Sequence, residues 1–205
     1  MKLTWIGHSC WKLESGTDTV ILDPYADGSV PGLAPVREQA DLVLCSHEHG
    51  DHNARETVTL TGKQPSFTIE TLDTYHDEAK GAKRGPNTIH IVSDGKTKVV
   101  HLGDLGCALT DEQILALRGA DVLLIPVGGF FTINADQAVS LVRMLCPKTV
   151  IPMHYRSKTF GYPVIGKVDA FAKALSAETR DGCVWDTDET ETLSGAVILQ
   201  PQNRL

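Results

Sequence analysis

The sequence predicts one domain that mixes strands and helices, of the α/β or α+β class. Short segments in which apolar and polar residues alternate fill the first half of the 205-residue chain, as half-exposed strands do. From Thr110 onwards, apolar strand segments instead alternate with amphipathic helical ones. No linker or change of composition separates the two halves, so residues 1–205 are expected to form a single domain.

Turn residues and apolar runs locate the strands of the first half. Gly7-His8-Ser9 joins the first two strands, and Asp23-Pro24 closes the third, since proline cannot donate to a ladder. Ser93-Asp94-Gly95-Lys96 is a hairpin turn between two later strands. Strands are therefore expected over residues 2–6, 10–14, 19–22, 40–45, 88–92 and 97–101, with further short ones between 58 and 73.

Capping boxes mark two helices in the second half. Thr110 with Gln113 begins the first, and Asn134 with Gln137 begins the second. A third helix is expected over residues 168–175. Buried strands are expected over residues 121–127 and 149–153, and short closing strands between 182 and 200.

Charge and cysteine content exclude several classes of function. The formal net charge of −7 disfavours binding to a nucleic-acid backbone, which requires a basic face. The five cysteines are scattered along the chain and form no Cys-x-x-Cys pair, so neither a disulfide framework nor a zinc ribbon is expected. Cys45 and Cys146 lie among apolar residues and are predicted to be core residues. There is no signal-peptide pattern and no bilayer-length apolar run, so we expect a cytoplasmic protein without membrane contact.

The segment 46–53, Ser-His-Glu-His-Gly-Asp-His-Asn, is the densest group of metal-capable side chains. It follows the predicted buried strand 40–45, and in extended backbone His47, His49 and Asp51 point to the same side. Gly50 permits a turn that brings in His52, and Asn53 is a candidate helix cap. A polar surface loop is the alternative, but four such groups behind an apolar strand favour a metal site. Imidazoles with a carboxylate suit zinc, and also iron or manganese.

This His-x-His-x-Asp-His pattern resembles the signature of the metallo-β-lactamase superfamily. That family completes its site with residues at later strand ends, and this chain offers His76, Asp104 and His154 in the expected order. The resemblance implies an α+β fold, the αββα four-layer sandwich. The Gly-His-Ser start, the His-Leu-Gly-Asp motif and Pro-Met-His-Tyr are most similar to a compact hydrolase subgroup that includes ascorbate-6-phosphate lactonase-like proteins.

The resemblance also implies a division of the ligands between two divalent metal ions. The first ion would be held by His47, His49 and His76, and the second by Asp51, His52 and His154. Asp104 would bridge the two and, with Asp51, would be catalytic. Zinc is the expected metal, with manganese and iron as alternatives.

Chemistry and resemblance together predict a hydrolase. A water molecule shared by two cations has its pKa lowered towards about 7, so a metal-bound hydroxide could attack a small ester, lactone or phosphodiester. An iron-dependent redox enzyme of the same fold and a non-catalytic metal-binding or sensing module are the alternatives. The expected partner is a small-molecule substrate, and a homo-oligomer is compatible with the sequence.

Six further residues are candidates for roles around the metal ligands. Three lie in predicted loops that could reach a substrate: Arg84, Phe130 and Tyr155. Three are candidates for orienting the ligands by hydrogen bonds: His8, Asp23 and His101. For each of the six, a purely structural role is the alternative.

Overall fold

The computed structural model describes residues 1–189 and 195–205. The helices are α1 (Asp111–Leu117), α2 (Ala135–Leu145) and α3 (Asp169–Leu175), with one 3₁₀ turn over Arg55–Thr57. The strands are β1 (Lys2–Gly7), β2 (Cys10–Ser15), β3 (Asp18–Leu22), β4 (Glu38–Ala40), β5 (Leu42–Leu44), β6 (Val58–Leu60), β7 (Thr68–Tyr75), β8 (Pro86–Ser93), β9 (Lys98–His101), β10 (Val122–Pro126), β11 (Thr149–Met153), β12 (Glu178–Thr179), β13 (Val184–Asp186) and β14 (Gly195–Ile198).

Two mixed sheets carry these strands. The first has the order β13-β1-β2-β3-β5, and the second has the order β12-β14-β11-β10-β9-β8-β7. Strands β4 and β6 form a separate parallel pair. Helix α2 contacts α1 and α3, and α3 contacts β14.

A continuous apolar core joins the two sheets. It includes Leu3 and Leu13 from the first sheet and Val99 and Leu124 from the second. Trp5 is fully buried in it and stacks on Trp11 with ring centroids 6.0 Å apart. Removing so much apolar surface from water is the main favourable term that holds the sheets together.

Strand directions place six strand ends at related edges of the two sheets. In the second sheet β9, β10 and β11 are parallel, and two antiparallel pairings make β7 run the same way as β9. In the first sheet β3 and β5 are parallel. Strand β1 runs in the same direction, because β2 is antiparallel to both β1 and β3. The residues that follow β1, β3, β5, β7, β9 and β11 can therefore meet in one place.

The structure agrees with most of the expected elements. Both capping boxes are present, at Thr110 and at Asn134, and β11 has the expected bounds. The expected strand 40–45 is instead split at Asp41, whose carboxylate accepts the amide of Thr19 at 2.8 Å. The expected cap at Asn53 is wrong, because Ala54 precedes the 3₁₀ turn and the Asn53 side chain donates to Glu48.

The cysteine prediction holds only in part. Cys45 is half-buried and packs against the core, but Cys146 is exposed at the end of α2 with a left-handed φ of 48°. Cys146 ends α2 as its C-cap, and its thiol donates to the Arg143 carbonyl instead of packing in the core. Of the closing strands expected between 182 and 200, residues 190–194 lie outside the described residues. Within the described residues, no helix has the length and apolarity needed to cross a membrane.

Candidate metal centre and substrate cleft

The structure brings the predicted ligands together around Asp104. Oδ2 of Asp104 lies 3.1 Å from Nε2 of His154, 3.2 Å from Nε2 of His52 and 3.2 Å from Nε2 of His76. Nε2 of His47 is 4.0 Å from the same oxygen. Imidazoles from three separate strand ends therefore share one carboxylate.

Two groups of side chains at this place could each hold a metal ion. Within each group the ligand atoms all lie within 4.8 Å of one another. The first group contains His47, His49 and His76. The second contains His8, Asp51, His52 and His154. A third combination, His47 with His52 and Asp104, links the two.

Unpaired buried atoms support the fit of a metal. Nε2 of His47, Nε2 of His52 and Oδ1 of Asp104 are inaccessible to solvent and form no hydrogen bond. Buried polar atoms without partners are rare and costly in folded proteins. Three such atoms on metal-binding side chains in one cluster are what a cation site requires.

Burial and neighbouring charges set the protonation of the centre. Burial and the imidazole of His154 lower the pKa of His8 to about 4, against the effect of Asp51. Burial and His52 lower the pKa of His47 to about 3. Burial opposes ionisation of Asp104, but His154 and His52 hold its pKa well below the usual range. Neutral imidazoles and ionised carboxylates are the forms that bind metal.

His52 departs from this pattern. Burial opposes its protonation, but the carboxylates of Asp104 and Asp23 raise its pKa well above the usual value. A divalent cation carries more positive charge than a proton and would interact more strongly with the same carboxylates. A bound metal ion would therefore displace the proton from His52.

Asp23, at the end of β3, holds two of the ligands. Its Oδ2 accepts from Ser46 Oγ at 2.6 Å and lies 2.8 Å from Nδ1 of His52, and its Oδ1 accepts the Ser46 amide at 2.7 Å. Ser46 Oγ is also 3.0 Å from Nδ1 of His47. With Nδ1 engaged in this way, Nε2 of both imidazoles faces the centre.

His8 lies closer to the centre than the sequence suggested. Its Nε2 is 3.3 Å from Oδ2 of Asp51, and its ring centroid is 4.2 Å from that of His154. It therefore belongs to one of the two metal-capable groups and not only to their surroundings.

His101 and Asn87 shape the turn that carries Asp104. Nε2 of His101 is 2.9 Å from the Ser9 carbonyl of the opposite sheet, and its Nδ1 accepts the Gly103 amide at 3.1 Å. Oδ1 of Asn87 accepts the Asp104 amide at 2.8 Å. His101 thus positions backbone rather than a ligand side chain. The role of Asn87 was missed, since nothing near it in the sequence marks a site.

Backbone strain is concentrated at the ends of the strands that carry the centre. His8, Asp23 and His154 all have left-handed φ values, of 54°, 47° and 50°. A residue other than glycine in this conformation costs about 1–2 kcal/mol of folding free energy. It persists only where the surrounding structure fixes the backbone. In each case the strand ends there; the side chains of His8 and His154 then reach the centre, and that of Asp23 contacts Nδ1 of His52 behind it.

Comparison with known proteins places this geometry in a family. A model of the beta-lactamase superfamily domain matches residues 2–154. The UPF0173 metal-dependent hydrolase of Pelotomaculum thermopropionicum is 30% identical over 87% of this chain and 93% of its own length. The chain belongs to the metallo-β-lactamase superfamily.

Solved structures of this superfamily agree with the fold. A superfamily member from Thermotoga maritima matches with a TM-score of 0.79 and 31% identity, covering 98% of this chain and 99% of that one. A metallo hydrolase from the archaeon Ignicoccus hospitalis matches with a TM-score of 0.68 at 20% identity, over 99% and 96% of the two chains. The expected α+β sandwich is confirmed, and this metallo-β-lactamase superfamily member is a metal-dependent hydrolase.

A cleft opens above the centre of this superfamily member. Its volume is about 310 Å³. The lining comprises His49, Asp51, His76, Arg84, Asp104, Phe131, His154 and Tyr162. A space of this size admits a small molecule and brings it against the ligands of the candidate metal centre.

The three residues predicted to contact substrate lie at different distances from the cleft. Arg84 lines the cleft, and its guanidinium lies 5.4 Å from the ring centroid of Phe131. Phe130 is 64% exposed and packs on Phe131, but it does not itself line the cleft. Tyr155 is instead buried, with its ring 5.5 Å from Trp5, so the structure does not bring it to the cleft.

Tyr162 occupies the place expected for Tyr155. Its hydroxyl lies 2.8 Å from the Ser29 carbonyl and 3.2 Å from Oδ2 of Asp51, and it lines the cleft. Burial and the charge of Asp51 raise its pKa, so the phenol keeps its proton. No motif surrounds Tyr162, and only the tertiary contact with Asp51 reveals it.

Proposed function

We propose that this protein is a dinuclear metal-dependent hydrolase that cleaves a small ester, lactone or phosphodiester bond. The observation that carries the proposal is the position of Asp104. Its Oδ2 lies within 3.2 Å of His76 from one metal-capable group and of His52 and His154 from the other. A carboxylate shared in this way would supply negative charge to cations held by either group.

The chain's own side chains suffice for two ions. His47, His49 and His76 would hold the first, leaving a position open as catalytic sites require. Asp51, His52 and His154 would hold the second. Zinc is the metal that this imidazole-rich set suits best, with manganese and iron as alternatives. Divalent ions bound here supply Lewis acidity and lower the pKa of water towards about 7.

Asp51 and Tyr162 supply the proton chemistry around the substrate. Oδ2 of Asp51 faces the cleft, where it can accept a hydrogen bond from the attacking water and take its proton. The Tyr162 hydroxyl lines the same space and donates to the Ser29 carbonyl and to Oδ2 of Asp51, so it would position that carboxylate beside the substrate. The small cleft above them limits the substrate to a small molecule.

The test combines a metal count with a hydrolysis screen. The purified protein is reconstituted anaerobically with zinc, manganese or ferrous iron, and bound metal is measured by elemental analysis. Hydrolysis of lactones, phosphodiesters and thioesters is then compared in the presence and absence of chelator. We expect two equivalents of metal and chelator-sensitive hydrolysis of at least one class.

Two acidic residues of one turn provide a matched control. Asp51→Asn removes the carboxylate that belongs to the second metal-capable group, and Glu48→Gln removes one that is exposed and pairs with Asn53. Asp51→Asn should abolish hydrolysis and Glu48→Gln should leave it unchanged. Fewer than one equivalent of metal, or oxygen consumption in place of hydrolysis, would overturn the proposal.

A further inference from the structure

Arg84 is the only lysine or arginine among the residues that line the cleft, all of which lie in the described part of the chain. It is half-buried. Within the described residues its guanidinium forms no ion pair and no side-chain hydrogen bond, although the chain contains 26 acidic residues. Arg37 and Arg180, by contrast, pair with Asp27 and Glu178. The five N–H donors of Arg84 therefore lack an acceptor among the residues that the structure describes.

The loop that carries Arg84 is organised by one carboxylate. Asp77 accepts the amides of Ala79 and Gly81 at Oδ1, and those of Lys83 and Arg84 at Oδ2, over distances of 2.7–3.1 Å. Because Asp77 follows the predicted ligand His76 directly, the backbone of Arg84 is held at a set distance from the metal centre. The His76 amide further donates to Gly85 at 3.1 Å.

The side chain of Arg84 is held as well. Its guanidinium lies over the ring of Phe131, and the Phe131 carbonyl is 3.0 Å from Nδ1 of His76. A guanidinium placed over an aromatic ring can still donate its N–H groups to another acceptor. Arg84 and its aromatic support are thus both tied to His76, with free donors beside the cleft.

We propose that Arg84 binds a carboxylate or phosphate group of the substrate, so that this hydrolase acts on anionic small molecules. The inference rests on the proposed function in taking the cleft as the reaction site. A planar guanidinium binds two oxygens of such an anion at once, and a position held in advance reduces the entropy lost on binding. The contact lies outside the metal ligands, so it selects the substrate without altering the centre.

The first test compares two activated esters on the metal-loaded enzyme. The neutral one is 4-nitrophenyl acetate, and the anionic one is the mono-4-nitrophenyl ester of glutaric acid. Arg84→Gln should lower kcat/KM for the anionic ester about 10- to 100-fold, mainly through KM, and change the neutral ester less than about twofold. Arg84→Lys should fall between, because it keeps the charge but loses the planar fork.

Lys83→Gln is the matched control. Lys83 precedes Arg84 in the same loop, is exposed, and pairs with Glu78 away from the cleft lining. Its removal should leave both esters unchanged. Equal losses for the two esters in Arg84→Gln, or losses for the anionic ester alone in Lys83→Gln, would overturn the assignment.

A second test needs no turnover. Glutarate and inorganic phosphate are titrated calorimetrically into the metal-loaded wild type and into both glutamine variants. Arg84→Gln should raise the Kd of at least one of these anions about tenfold or more. The anion whose Kd rises most identifies the chemical group that Arg84 binds. Unchanged Kd values for both anions would overturn the inference. If neither ester is cleaved, the proposed reaction fails for esters, while this titration still decides the role of Arg84.

Discussion

The floor and the rim of the cleft are built from different parts of the fold. The floor is the set of predicted metal ligands, which follow strand ends and, apart from His49 and Asp51, are almost wholly buried. The rim consists of Arg84, Phe131 and Tyr162, which line the cleft, together with Phe130, which packs on Phe131; all four lie in loops and are partly exposed. Strand ends are held by ladders on both sides, whereas loops are positioned by a few contacts.

The support behind each region differs too. His52 is held by Asp23, His76 by the Phe131 carbonyl, and the Asp104 backbone by Asn87. On the rim, the Phe130 side chain is mostly exposed and packs on one neighbouring ring. The floor should therefore decide whether the enzyme holds metal, and the rim should set substrate preference and adjust turnover without changing the metal content. Four substitutions test this division, from the largest expected effect to the smallest.

Asp104→Asn should have the largest effect. It keeps the side-chain volume but removes the charge shared by His52, His76 and His154. We expect bound metal to fall and kcat/KM to drop at least about 10³-fold. Elemental analysis and hydrolysis rates measure both. Asp94→Asn, in the hairpin after β8, is the control. Full metal content with activity above a tenth of wild type would break the distinction between floor and rim.

Asp23→Asn should weaken the floor without removing a ligand. Its carboxylate holds Nδ1 of His52, and loss of such a partner typically costs about 10- to 100-fold in metal affinity. Competition with a chelator measures the change. Asp18→Asn, at the other end of β3, removes an ion pair with Lys63 and should leave metal affinity as it is. Equal affinities in the two variants would show that the support behind His52 is dispensable.

Tyr162→Phe should affect turnover but not metal content. It deletes the hydroxyl 3.2 Å from Oδ2 of Asp51 and leaves the ring in place. We expect kcat to fall about 3- to 10-fold, as the loss of one hydrogen bond predicts. Tyr25→Phe removes a hydroxyl bonded to the Ala34 carbonyl outside the cleft and serves as control. Loss of metal from Tyr162→Phe would assign this residue to the floor.

Phe130 should matter least for activity and should report on backbone strain. Its φ of 61° is left-handed, which glycine adopts readily and other residues do not. The free energy of unfolding of Phe130→Gly should be about 0.5–1 kcal/mol larger than that of Phe130→Ala. Both variants should keep hydrolytic activity within about twofold of wild type. Denaturant unfolding measures the difference. A more stable alanine variant would show that the turn does not need the left-handed conformation.

Local patterns in the sequence predicted much of the fold. Capping boxes at Thr110 and Asn134 depend on residues three apart, so the sequence displays them directly. The position of Tyr155 depends on tertiary structure. Its place in a predicted loop suggested a contact with substrate, but the backbone at His154 is left-handed and the Tyr155 side chain lies in the core against Trp5.

The sequence by itself determined a domain that mixes strands and helices and the order of the candidate ligands, because both show in residues close together or in a repeated strand-end pattern. The family and its sandwich fold followed from the resemblance of that pattern to known proteins. Only the tertiary structure decided that His8 faces Asp51, that Asn87 holds Asp104 and that Tyr162 reaches the cleft. These contacts join residues 17 to 111 positions apart. The packing of the two sheets decides which of these distant residues come into contact, and no short sequence motif indicates that packing.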